Sequence, residues 1–139
     1  MTAGVETTAA ESFIITTLKT ASVAGGRVYS GVAPVGAEEP YVIVQEQSSG
    51  TGVLYAVGVE QVWIDPLFIV KAVKATGSWS ELTTVAKAAH AALQEASGVM
   101  TDGTILSCVR ERPFRLIELP QSTGKQYRHL GNAYRILVT

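Results

Sequence analysis

The stretch GGRVYSGVAPVGAEEPYVIVQEQ, residues 25–47, leaves one element, touches a second and enters a third after a proline-bounded loop. Gly25-Gly26 ends whatever precedes it, because paired glycines adopt the positive φ angles that other residues resist. Arg27-Val28-Tyr29 reads as a short strand, and Gly31, Pro34 and Gly36 mark a loop. From Tyr41 to Gln47 apolar and polar residues alternate: Val42, Val44 and Glu46 face one way, Tyr41, Ile43, Gln45 and Gln47 the other. The stretch therefore links a helix to a sheet through a strand too short to stand alone.

Upstream, Thr8-Ala9-Ala10-Glu11 has the spacing of a capping box. Phe13, Ile14, Thr17, Leu18 and Ala21 follow at helical intervals, which predicts a first helix over 8–21. Downstream, Ser48 to Gly58 reads as a turn with the apolar tip Val53-Leu54-Tyr55. Val59 to Ile64 and Leu67 to Ala75 are strand-like, and Asp65-Pro66 between them forces a bulge or a division into two strands, since proline cannot donate to a ladder. A second capping box, Ser78-Trp79-Ser80-Glu81, opens a helix whose stripe of Leu82, Val85, Ala86, Ala89, Leu93 and Ala96 runs to Gly98. Half of that stripe is alanine, which suits close approach of the helix to a sheet. Strands follow at Thr104–Arg112, Phe114–Leu119 and Tyr127–Val138, with Gln121–Lys125 as the last turn. The order predicts one α+β domain over 1–139, a mainly antiparallel β-sheet flanked by two principal α-helices.

Composition narrows the function. Of the 139 residues, 47% are hydrophobic and 17% charged, with a net charge of -1, against about 25% charged in a typical soluble domain. A chain so short of charge either hides a large core or presents faces to neighbouring subunits, and the balance favours an oligomer. Eleven basic residues without a dense block give no electrostatic footprint for gripping DNA. The single cysteine, Cys108, excludes an internal disulfide and a multi-cysteine zinc site. The first thirteen residues lack the pattern of a signal peptide, and no run reaches the roughly 18 apolar residues of a membrane span; assembly in a cytoplasm, away from membrane, is the expectation.

A search for chemistry finds little. His90 lies at the edge of the second helix's apolar stripe and reads as a boundary histidine; His129, just after a turn, reads as an exposed strand residue or an interface contact. Cys108 sits in apolar alternation and reads as a small buried hydrophobe. Neither a G-x-S-x-G elbow nor a phosphate-binding loop is present, and Gly50-Thr51-Gly52 is only a fragment of a dinucleotide fingerprint. Glu38-Glu39 and Asp65 read as solvated charges rather than an acid–base pair. No cofactor is implied. Arg110-Glu111-Arg112, Lys125 and Arg128, with Phe114, Tyr127 and Tyr134, have the composition of an interface hot spot or, equally, of charge pairs on a solvated face.

The order of these segments resembles the small tail terminator, or tail completion, proteins of long-tailed bacteriophages. The resemblance is carried by the opening helix, Gly26-Arg27-Val28-Tyr29, Tyr41-Val42-Ile43-Val44-Gln45, the alanine-rich second helix and the closing Tyr134-Arg135-Ile136-Leu137-Val138. The segment from Val53 to Ala75 is longer and more aromatic than that family's central strand. The resemblance implies a virion protein forming a ring, generally a hexamer, at the head-proximal end of the tail tube. Such a ring stops tube polymerisation, offers the docking surface for the head–tail connector or stopper protein, and passes genome DNA through its lumen without specific binding. On this reading the loop from Ser30 to Glu39 and the strand edges meet neighbouring copies, and the 48–58 turn projects along the ring axis or against the tube protein. The interface residues are then Arg27, Tyr29, Val53, Leu54, Tyr55, Arg110, Arg112, Tyr127, Arg128 and His129. The alternatives are another head–tail joining or tube protein and, from a different class, a small α+β enzyme or ligand-binding domain with its pocket between the second helix and the sheet.

Overall fold

The structure, a computed structural model, describes residues 5–48, 53–55, 61–75, 78–100, 103–118 and 126–138. Helix α1 (Val5–Thr20) buries Ala10, Ile14 and Leu18, four residues apart along one face. It starts one turn before the capping box at Thr8: no glycine or proline interrupts Val5-Glu6-Thr7, so the helix simply extends, and the Glu11 carboxylate accepts the Ser30 hydroxyl instead of closing a cap. A short 3-10 turn, Val23–Gly26, buries Val23, and Gly25 and Gly26 take φ of 64° and 86° as the chain swings into β1 (Val28–Ser30).

The loop then returns the chain to β2 (Tyr41–Ser48), which runs parallel to β1. Every other pairing is antiparallel. Strand β5 (Leu67–Ala75) pairs with β2 on one side and β8 (Tyr127–Val138) on the other. Strands β6 (Gly98–Met100) and β7 (Gly103–Glu118) complete the main sheet in the order β1-β2-β5-β8-β7-β6. The chain is thus the expected α+β fold with a mainly antiparallel sheet and two helices.

The proline at 66 divides two strands. β4 (Gln61–Trp63) pairs with β3 (Val53–Tyr55) in a separate two-stranded sheet, so the apolar tip of the expected 48–58 turn is itself a strand. The side chains of 53–55, residues 49–52 and 56–60, and the expected turn at 121–125 lie outside the described residues. Between β4 and β5, Ile64 bridges Val138 through paired 2.9 Å hydrogen bonds, and Pro66, lacking a donor, serves as acceptor for Ile136 N–H at 3.0 Å.

Helix α2 (Trp79–Leu93) buries Leu82, Ala89 and Leu93. Its capping box does not close: the Ser78 hydroxyl pairs with Ser80, and Glu81 reaches Lys74 on β5. Nor does it run to Gly98. The left-handed position after the helix is taken by Glu95, at φ 63°, because its N–H is drawn 2.8 Å from the Cys108 carbonyl of β7, and Gly98 opens β6.

Where the sequence suggests two strands, Thr104–Arg112 and Phe114–Leu119, β7 is continuous over sixteen residues. Pro113 does not break it because β6 pairs only with Gly103–Ile105, leaving the rest of β7 a sheet edge among the described residues, where no outward donor is required. Register slips at 105/107 and 110/112 bend this edge. The core joins α1 and α2 to one face of the sheet through Val42, Val44, Phe68, Val70, Tyr134 and Ile136.

Candidate functional site

The strands' other face carries no described helix and shows how the sequence handles a half-covered sheet. Its rows follow from register: Tyr41, Val73, His129 and Leu116 in one, Ile43, Lys71, Gly131 and Phe114 in the next, Gln45, Ile69, Ala133 and Arg112 in a third. Leu67, Ile69 and Ala133 are nevertheless buried, with Phe114 packed on them. Long polar side chains cover them. Arg112 donates through Nη2 to Gln47 Oε1 at 2.7 Å, a bond that reaches from β7 across β8 and β5 to β2. Lys71 Nζ stands 5.4 Å from the centre of the Phe114 ring, and Arg135 holds both Glu111 oxygens at 3.0 Å while donating to the Asp65 carbonyl at 2.9 Å.

At the β1 end of this face lies a hollow of about 320 Å³, lined by Tyr41, Ile43, Lys71, Glu118, Tyr127 and His129 and rimmed by the start of the 31–40 loop. Burial raises the Tyr41 pKa, with Glu39 adding to it, and burial lowers that of Lys71 against the opposing pull of Glu118. His129 is lowered by burial and by Lys71, only partly offset by Glu118, whose Oε2 is 3.0 Å from Nε2. A carboxylate only accepts, so the proton of the neutral ring sits on Nε2 and leaves Nδ1 a lone pair. That Nδ1 is buried and has no hydrogen-bond partner among the described residues. The pair ties the end of β7 to β8.

The structure separates the residues expected to form one interface. Tyr127 and His129 line the hollow, Tyr29 packs edge to face on its Tyr41 with ring centres 6.0 Å apart, and Arg112 lies on the same face. Arg128 is on the opposite face, its guanidinium 5.2 Å from the Trp79 ring, where Arg115 also stacks at 4.1 Å. Alternation imposes this split, since 128 and 129 point to different sides of β8. Arg27 fastens the 31–40 loop, donating through Nε to Pro40 O at 3.0 Å with Glu38 at 3.8 Å, and the Glu39 carboxylate accepts the Ala75 N–H. Arg110 is exposed on β7, its N–H held by Gln94 Oε1 at 3.1 Å. Val53, Leu54 and Tyr55 form β3, with side chains outside the described residues.

The expectation of an exposed His129 is overturned. It is 7% exposed, because β8 lies between β5 and β7 and Glu118 closes over the ring. Cys108 is buried with its thiol pushed up to about 12, which keeps it protonated. His90 is the boundary residue expected, its Nδ1 3.0 Å from the Tyr134 hydroxyl. The hollow between α2 and the sheet, lined in part by His90, Arg110 and Asn132, is about 190 Å³, below the roughly 300 Å³ at which ligand pockets begin. Among the described residues no group of three or more His, Cys, Asp or Glu could hold a metal ion, and no helix is long and apolar enough to cross a membrane. Sequence reasoning missed Tyr41, Lys71, Trp79 and Glu118; the signal available was Tyr41 sharing a face with Ile43, and a lysine inside the apolar run of β5.

Among the described residues, the large apolar side chains that remain exposed lie at the two ends of the sheet. Val32, 81% exposed, and the fully exposed Val35 stand in the loop after β1. Val99, Leu106, Val109, Leu116 and Ile117 belong to β6 and β7.

No family model matches the chain, and no curated protein does. Among solved structures, a chain from the virion of a native gene transfer agent particle shares the fold, with a TM-score of 0.69 at 17% identity over 99% of this chain and 98% of that one. The fold is thus an α+β architecture that also serves inside a virion.

Proposed function

We propose that the chain is a structural protein of a phage-like virion, acting as a tail terminator. It forms a ring, hexameric by the sequence resemblance, at the head-proximal end of the tail tube, stops tube polymerisation and presents the surface on which the head–tail connector docks. The observation that carries this reading is the fold shared end to end with a chain of a gene transfer agent virion. The near-neutral charge supports it, since DNA can then pass through a lumen without being gripped. The role requires no catalysis and no cofactor, and its partners are further copies of the chain, the tube protein and the connector.

The test is the native mass of the purified protein over a concentration series, with negative-stain images of the heaviest species. Closed rings that do not stack are expected. Stacked filaments would instead identify a tube subunit. A monomer at every concentration, with a melting shift on a small molecule that is lost in His90→Ala or Arg112→Ala, would replace the reading with a ligand-binding one.

A further inference from the structure

The two ends of the main sheet differ in kind. At one end, β1 has a strand on one side only among the described residues, and Val32 and Val35 stand exposed in the loop that follows. The charged residues at this end are mostly acidic: Glu11, bound to Ser30, and Glu38 and Glu39 in the loop, against Arg27. The Glu38 side chain is 80% exposed and only 3.8 Å from Arg27 at its nearest, so its charge is open to a further partner. At the other end, β7 has no strand partner beyond Ile105 on its outer side among the described residues, apart from the Cys108 carbonyl and Arg110 N–H held by Glu95 and Gln94. Leu116 and Ile117 are about half exposed there, on opposite faces of an edge strand. Its charges lean the other way. Arg110, Arg112 and Arg115 are exposed, Arg112 bonded to Gln47 and Arg115 stacked on Trp79, while Glu111 binds Arg135 and Glu118 lies against His129.

An unpaired edge with apolar side chains on both faces is a template for another chain. Natural sheets blunt such edges with proline and charge, and β7 carries both in Pro113 and its arginines, but Leu116 and Ile117 remain an exposed apolar pair between Arg115 and Glu118. Two edges of unlike charge on opposite ends of one sheet favour a head-to-tail contact, because a two-fold contact would place like charges together. We propose that the β1 end of one copy, with Val35 and Glu38, docks on the β7 edge of the next copy at Leu116 and Ile117. The inference rests on the ring reading and specifies its surfaces: a heterologous contact of this kind closes into a ring when its rotation permits.

The test uses two single-cysteine additions, Val35→Cys and Ile117→Cys, at exposed positions where the fold is indifferent; the native Cys108 is buried and stays silent. Under mild oxidation each variant alone is expected to remain monomeric on a denaturing gel, an equimolar mixture to give cross-linked dimers, and the double variant to give a ladder that ends at the mass of the native assembly. Dimers from Ile117→Cys alone would mean a two-fold edge contact and overturn the proposal. Rings that form normally while the double variant gives no ladder would also overturn it, yet leave the terminator reading standing. A chain that stays monomeric at every concentration removes both. A second measurement guards the result: Glu38→Arg should abolish assembly, and Glu38→Arg combined with Arg115→Glu should restore it, whereas equal loss in both would argue against the charge pairing.

Discussion

The two faces of the main sheet exclude water by different means. On one, α1 and α2 lay apolar stripes over Val42, Val44, Phe68 and Tyr134 in a single buried cluster. On the other, Leu67, Ile69 and Ala133 are covered by side chains one at a time: Arg112 reaching Gln47, Lys71 beside Phe114, His129 under Glu118. A helix supplies apolar area in bulk, and its loss anywhere leaves a cavity. A polar side chain lying on apolar surface supplies less area, keeps its charged end hydrated and can be lifted at small cost. The comparison teaches that the helix face holds the fold, while the open face and the strand edges remain adjustable.

The strongest way to break the comparison is at Gly131, where β8 passes β5. A Cβ there would stand 2.0 Å from the Val70 carbonyl oxygen, a backbone atom that cannot step aside, so Gly131→Val should cost at least about 3 kcal/mol and affect both faces at once. Urea unfolding, or failure to recover folded protein, reads the result. On the helix face, Phe68→Ala should cost about 3–5 kcal/mol, because the ring is wholly buried and the space left cannot collapse. On the open face, Arg112→Ala should cost only about 1 kcal/mol, the net worth of one hydrogen bond. Equal costs for Phe68→Ala and Arg112→Ala would erase the distinction between the faces.

A subtler probe is pH. Burial holds the folded pKa of His129 below the ordinary 6.5, so the unfolded chain takes up a proton that the folded chain refuses. This contribution is complete above about pH 6.5 and is lost as the pH falls below it. Melting temperatures from about pH 7.5 down to about 5.5 should therefore fall more steeply in the natural protein than in His129→Gln; parallel curves would mean that the ring is exposed in solution. The smallest effect is expected at the edge. Ile117→Lys should change the stability of the isolated chain by no more than about 0.5 kcal/mol, since the side chain is half in water already.

Local patterns made much of the fold legible. The alanine-rich stripe marks α2, alternation marks β2, and the proline at 66 divides β4 from β5 because a missing N–H has the same consequence wherever it falls. The same rule misleads at Pro113. A proline breaks a strand only if its nitrogen faces a partner, and whether it does depends on which strand lies alongside. His129 poses the same problem: a histidine beside a turn looks exposed until β5 and β7 close on either side and Glu118 lies over it. The site was legible to a lesser degree, since the sequence pointed to Tyr29, Tyr127 and His129 but could not supply Tyr41 and Lys71, which reach the same hollow from β2 and β5.

What the sequence by itself determined is the kind and order of elements, the absence of a recognisable catalytic motif and the shortage of charge, because propensity, periodicity and composition act over a few residues or over the whole chain. The tertiary structure decided which strand is an edge, which arginine is on which face, and which buried nitrogen goes without a partner. Those properties belong to pairs of residues far apart in the chain, and only the register of β5, β7 and β8 brings them together.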